Sequence, residues 1–179
     1  MNLRNVLILP GWQNSGAAHW QSRWQAAHGY TRVEQHDWHR PLRGDWLARL
    51  EEVLLDINEP AVLVAHSLGC VQIAAWAAHS QNTHRVKAAL LVAPPDVASD
   101  DLRQMLPSWF PVPQQRLPFP TVVISSSDDP FCLVAQAQDF AAAWGSQFIN
   151  IGPRGHLNAE SSLGDWPEAH AQLQHLIAL

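Results

Sequence analysis

The stretch Val62-Leu63-Val64-Ala65-His66-Ser67-Leu68-Gly69 decides how this chain is read. An apolar run stops at a serine set between small residues, and helix-forming sequence follows at once. Ala61 to Ala65 suits a strand buried on both faces of a parallel sheet, and Cys70 to His79 suits a helix packed on it. Ser67 then sits on the sharp turn between them. A nucleophile elbow holds its serine in strained backbone geometry at the C-terminal edge of a sheet, so small residues are needed two before and two after it. Ala65 and Gly69 occupy those places; the full pattern has glycine first, so the match is one methyl group short. The competing account is a Ser-Leu-Gly turn that caps a helix, serine being a favoured N-cap.

Outward from this stretch, strands alternate with helices. Asn5 to Leu9 is a short buried strand, ended by Pro10-Gly11 and the loop Trp12-Gln13-Asn14-Ser15-Gly16. A helix is predicted over Ala17 to His28, with Trp20, Trp24 and Ala27 on its buried face, and a weaker strand over Thr31 to Gln35. Gly44 to Ile57 reads as a helix capped by Asp45, with Trp46, Leu47, Leu50, Val53, Leu54 and Ile57 as its apolar stripe. Downstream come a strand over Ala88 to Ala93, a strand over Thr121 to Ser125, a helix over Phe131 to Trp144, a strand over Gln147 to Ile151, and a last helix from Trp166 to Leu179. Buried strands alternating with helices imply an α/β fold with a mostly parallel sheet of about six strands covered on both faces. The insert from Asp96 to Pro120 is too short for a large lid. It carries a short helix near Asp100 to Leu106 and then Trp109 and Phe110 in a proline-rich loop, which nominates those two aromatic residues, with Trp12, as pocket walls.

A chain of 179 residues suits one domain, 1–179. With 47% apolar and 15% charged residues it reads as an ordinary globular protein, and a net charge of −5 without a basic stripe argues against nucleic acid. The start, Met1-Asn2-Leu3-Arg4-Asn5, lacks a long apolar leader, and nowhere do 18 apolar residues run together, so a cytoplasmic protein without a membrane partner is expected. Cys70 and Cys132 suit free thiols. His36 and His39 have a ligand-like spacing without a partner on a matching helix, so neither a metal nor a cofactor is expected.

Ligand sites of such sheets lie at the C-terminal ends of strands. Ser67 follows the third strand, Asp128 and Asp129 the fifth, and His156 the sixth, in the order Ser, Asp, His. A serine hydroxyl needs an imidazole to take its proton, and the imidazole needs a carboxylate to hold its tautomer. The oxyanion formed by carbonyl attack needs two backbone N–H groups, for which Leu68, after the nucleophile, and Trp12, in the loop after the first strand, are the candidates. Gly11 would let that loop approach; the alternative is an ordinary strand-ending turn.

Pro10-Gly11-Trp12-Gln13-Asn14-Ser15 with His19-Trp20, Gln35-His36-Asp37-Trp38, His66-Ser67-Leu68-Gly69, Asp128-Asp129-Pro130-Phe131 and Gly155-His156-Leu157-Asn158 together resemble the small, lidless α/β-hydrolases of the YdeN and retinoblastoma-binding protein 9 type. The resemblance covers nearly the whole chain. It implies a sheet lacking the first strands of larger hydrolases, and a serine hydrolase or esterase with Ser67 as nucleophile, His156 as base and Asp129 as orienting acid. Pro130, which stiffens the residue before it, favours the same aspartate and leaves Asp128 as a turn-former. Leu133 departs from the family, where proline is frequent. A retinoblastoma-type L-x-C-x-E motif is absent, the nearest match, Leu68 to Gln72, ending in glutamine. The expected substrate is a small, neutral carboxylic ester cleaved through an acyl-enzyme. An amidase, aminopeptidase or thioesterase would use the same triad, and a binding protein on a hydrolase scaffold would keep it without turnover.

Overall fold

The computed structural model describes residues 5–179; the start of the chain read above for a leader, Met1 to Arg4, lies outside them. Six strands, β1 (Val6–Leu9), β2 (Thr31–Arg32), β3 (Ala61–His66), β4 (Val86–Val92), β5 (Thr121–Ser125) and β6 (Gln147–Asn150), form one sheet in the order β2-β1-β3-β4-β5-β6. Every neighbouring pair is parallel. The chain runs outward from β1 to β2 and then crosses back to β3, so the strand order reverses between β1 and β3, where a crevice opens at the strands' carboxyl ends.

Alternation along each strand assigns the side chains to two cores. Leu7, Leu9, Leu63, Ala65, Ala89, Leu91 and Val123 pack under α2 (Arg43–Asp56), α3 (Leu68–Ala77) and α5 (Val134–Trp144). Val6, Ile8, Val62, Val64, Leu90, Val92 and Ile124 pack under α1 (Trp20–His28) and α6 (Pro167–Ala178). Because both faces are covered, β1 and β3 are buried at every position, and apolar at all but His66 at the end of β3, as a strand buried on one side only would not be.

Several boundaries differ from the sequence reading. Helix α1 starts at Trp20, three residues late, because the His19 ring caps it by accepting the Gln21 N–H. Its buried side chains are Trp20, Gln21 and Trp24, and Ala27 faces solvent. Asp45 does not cap α2: Leu42 holds the cap position, which leaves Asp45 in the first turn, where its charge still faces the positive end of the helix dipole. Strand β2 is only two residues long. Beyond it, Val33 N–H still reaches the Ile8 carbonyl, while the side chain of Arg32, the last residue of β2, bonds Asn14 and Ser15 of the loop after β1 and Ser22 of α1. Strand β4 begins at Val86, two residues early. A short helix α4 (Asp100–Met105) occupies the insert. No helix among the described residues is long and apolar enough to cross a membrane.

Candidate active site

Ser67 stands at the junction of β3 and α3 with φ 53° and ψ −122°, a backbone conformation that a non-glycine residue adopts only under strain. It makes no side-chain cap, so the helix-capping account of this serine does not hold. Its N–H donates to the Val92 carbonyl at the end of β4 (2.9 Å), and its carbonyl accepts from Cys70 (2.8 Å). The small neighbours are required by close approach: a Cβ on Gly69 would run into the Leu9 carbonyl, and one on Gly11 would lie 2.8 Å from the Ser67 Cβ and 3.2 Å from the Leu68 nitrogen. The β1 loop therefore presses directly on the elbow.

From Ser67 a hydrogen-bonded chain runs inward. Ser67 Oγ lies 2.9 Å from His156 Nε2, and His156 Nδ1 lies 2.9 Å from both carboxylate oxygens of Asp129. A carboxylate only accepts, so Nδ1 carries the hydrogen and Nε2 presents its lone pair to the serine hydroxyl. The side chains of His156 and Asp129 are 9% and 3% exposed, dry enough to strengthen the contact. Asp129 also accepts the Phe131 N–H (2.9 Å), and the Phe131 ring meets His156 edge-on at 4.6 Å. Asp128 points elsewhere: one of its oxygens accepts Ser126 Oγ–H and Gly155 N–H, both at 2.7 Å, and these bonds hold its carboxyl below the usual range. Leu133 has φ −63°, which proline would also take, and a side chain 78% exposed, so the departure from the family leaves the acid loop untouched.

These groups open on a cavity of about 430 Å³. Ser67, Leu68, Trp12 and His156 line it, together with the apolar Pro95, Leu102, Leu106 and Phe131 and the polar Gln13, Asn158 and Glu160. The Trp12 indole donates to the His39 carbonyl (2.9 Å). Trp109 and Phe110 do not line the cavity. The Trp109 indole N–H is satisfied only inward, by the Pro41 carbonyl (2.9 Å), so the ring is fully buried and packs edge-on against Trp46. Phe110 turns outward under the Arg103 guanidinium, 4.2 Å above its ring. The insert supplies a wall after all, but through Leu102 and Leu106. His36 and His39 belong to a loop tied by Asp37, whose carboxylate accepts the His39 and Arg40 N–H groups; no group of three metal-ligating side chains occurs among the described residues.

Sequence reasoning missed three supporting residues. Gln21, wholly buried, donates from Nε2 to the Leu9 and Val64 carbonyls and accepts Ser15 Oγ–H, which ties the end of β1 and the body of β3 to the loop between β1 and α1. His66 donates from Nε2 to the His156 carbonyl (2.9 Å). His19 packs edge-on against His66 at 4.7 Å and lines the cavity. The signal for His66 was its place beside Ser67, and for His19 its place in the His19-Trp20 pair of the family resemblance; for Gln21 the sequence holds none. Cys132, near Asp129, is no rival nucleophile, since burial and the carboxylates of Asp129 and Asp96 push its thiol up to about 12.

Burial, with Arg32 and His156 nearby, lowers His19 to about 3. An unfolded histidine takes up a proton below about 6.5 whereas folded His19 does so only near the lower value, so its contribution to stability is complete above pH 6.5 and is lost as pH falls through that window. Urea unfolding should show the chain about 1–2 kcal/mol less stable at pH 5 than at pH 7.5 on account of this ring. His19→Asn, which keeps a capping acceptor but does not titrate there, should flatten that slope by about one proton. An unchanged slope in the variant would show that His19 is not the group responsible.

Comparison with known proteins bears on the fold and the family. A YdeN-like hydrolase from Pectobacterium atrosepticum superposes with a TM-score of 0.85 at 25% identity, over 96% of this chain and 89% of that one. The ydeN gene product of B. subtilis matches with a TM-score of 0.78 at 20% identity, over 98% of this chain and 100% of that one, and carboxylesterase CesB from Bacillus subtilis with 0.68 at 16%, over 98% and 84%. At those lower identities the likeness is one of fold. The curated proteins contain no match. The family model for serine hydrolases matches residues 6–175. The chain belongs to the serine hydrolase family and is similar to YdeN-like hydrolases.

Proposed function

We propose that the chain hydrolyses a small, neutral carboxylic ester through an acyl-enzyme, with Ser67 as nucleophile, His156 as base and Asp129 as the acid that orients it. The observation that carries this reading is the unbroken hydrogen-bonded chain from Ser67 Oγ through both nitrogens of His156 to Asp129, at the wall of one cavity. Ser67 attacks the ester carbonyl as His156 Nε2 takes its proton; the charge on the carbonyl oxygen meets the Trp12 and Leu68 backbone N–H groups. Collapse expels the alcohol, which receives that proton from His156. Water, deprotonated by the same nitrogen, then releases the acid and restores Ser67.

The substrate class follows from the lining. Its apolar lining residues suit an acyl or alkyl group, no lysine or arginine among the described residues lines it, and Glu160 disfavours an anion. A volume near 430 Å³ and the short insert suit short chains. We take the partner to be a small-molecule ester met in the cytoplasm, with no part for nucleic acid or a membrane surface. The test is labelling with a fluorophosphonate probe followed by a screen of p-nitrophenyl esters of increasing acyl length. Rapid modification at Ser67 and a rate falling with chain length are expected; a chain that leaves the probe unreacted is a binding protein on this scaffold, and a long-chain ester whose rate jumps above its micellar concentration contradicts the size argument.

A further inference from the structure

The loop that brings His156 to Ser67 is held at four successive backbone positions. Arg154 N–H donates to Ser126 Oγ (2.8 Å), Gly155 N–H to Asp128 (2.7 Å), the His156 carbonyl accepts from His66, and the Leu157 carbonyl accepts from the Trp20 indole (2.8 Å). The first two anchors stand in the acid loop after β5, and the last in α1. His66 is the anchor that belongs to the elbow itself, one residue before the nucleophile. The loop needs holding: Leu157, wholly buried, has φ 52°.

We propose that His66 is a positioning residue: its hydrogen bond to the His156 carbonyl locks the loop carrying the base onto the residue next to the nucleophile, so that Ser67 and His156 keep their spacing. This rests on the reading of those two residues as nucleophile and base. The carbonyl can only accept, so His66 Nε2 carries the hydrogen. Burial, with His156 and His19 close by, keeps the ring from becoming charged, which preserves that single-donor form. The ring has no freedom to turn. It is 5% exposed, with His19 edge-on at 4.7 Å, Trp20 nearly perpendicular at 6.2 Å and the His156 ring 4.9 Å away. Since His66 and Ser67 are consecutive, a shift of the strained elbow is passed to the histidine loop through this bond rather than opening the 2.9 Å gap between Oγ and Nε2.

Two variants separate the donor from the mere presence of a polar side chain. His66→Gln carries an amide N–H about where Nε2 stands, whereas His66→Asn is one methylene too short to reach the carbonyl. With short-chain ester as substrate and rates normalised to folded fraction by circular dichroism, H66N should lose about 30- to 100-fold in kcat with KM changed less than about threefold, the scale of a misplacement near 1 Å. H66Q should recover most of that loss. Exchange of the His156 Nδ1–H proton with solvent, followed by NMR, reads the same ordering without turnover: slow in wild type and H66Q, faster in H66N. Equal kcat and equal exchange in the two variants overturn the proposal, as does a loss that follows Tm alone. Failure of wild-type Ser67 to label with a fluorophosphonate overturns the hydrolase reading instead, and the exchange comparison still decides the role of His66.

Discussion

Ser67→Ala should remove turnover of a p-nitrophenyl short-chain ester almost entirely, by about 10⁶-fold in kcat if this serine matters as much as the nucleophile of a serine protease. Only the hydroxyl is lost. The side chain makes no helix cap, and its one hydrogen bond goes to His156, so nothing in the fold depends on it. The backbone N–H groups of Trp12 and Leu68 remain, and with them whatever rate comes from binding and oxyanion stabilisation alone. The circular dichroism spectrum and the urea midpoint should match wild type, and fluorophosphonate labelling should vanish. Activity within tenfold of wild type in a folded variant would transfer the chemistry to another group.

The second large effect separates two neighbouring aspartates. Asp129→Asn should lower kcat by about 10⁴-fold, the loss seen when the triad acid of a serine protease becomes an amide. An amide turned with its NH₂ toward Nδ1 selects the other tautomer, in which Nε2 carries the hydrogen and can no longer accept one from Ser67. Asp128→Asn should cost far less. Its one bonded oxygen accepts from Ser126 and Gly155, a task the asparagine carbonyl can keep, and the loss falls mainly on stability through the weakened anchor on Gly155. Steady-state kinetics of the two single variants settle the matter, and a larger kcat loss at position 128 would reverse the assignment.

The sequence was most legible where local and global demands coincide. The run from Ala61 to Gly69 had to be a strand, a turn and a helix, because its strand is apolar on both faces and its flanks are small. Ser67, His156 and the Asp128-Asp129 pair were legible because chain order and strand ends already place them at one sheet edge, while the choice of Asp129 came from Pro130 and the family resemblance. The aromatic residues were not. Whether Trp109 walls a pocket or fills a core depends on the Pro41 carbonyl, 68 residues away, and no local pattern carries that information. The start of α1 was misplaced for a comparable reason, since histidine is not among the usual N-caps and only the folded position of the His19 ring lets it serve as one. Gln21 illustrates the limit: a polar residue on an amphipathic helix reads as a surface residue until carbonyls of two strands come within its reach.

The wall formed by Pro95, Leu102 and Leu106 belongs to no strand. It hangs from the end of β4 and returns to the start of β5, so its length and side chains can vary while the sheet register and the spacing of Ser67, His156 and Asp129 stay as they are. Reactivity and appetite are thereby separate inheritances in this molecule. Changes in the exposed part of the insert could widen or close the mouth without touching Gly11 or Gly69, whose added methyl groups would strike the machinery itself.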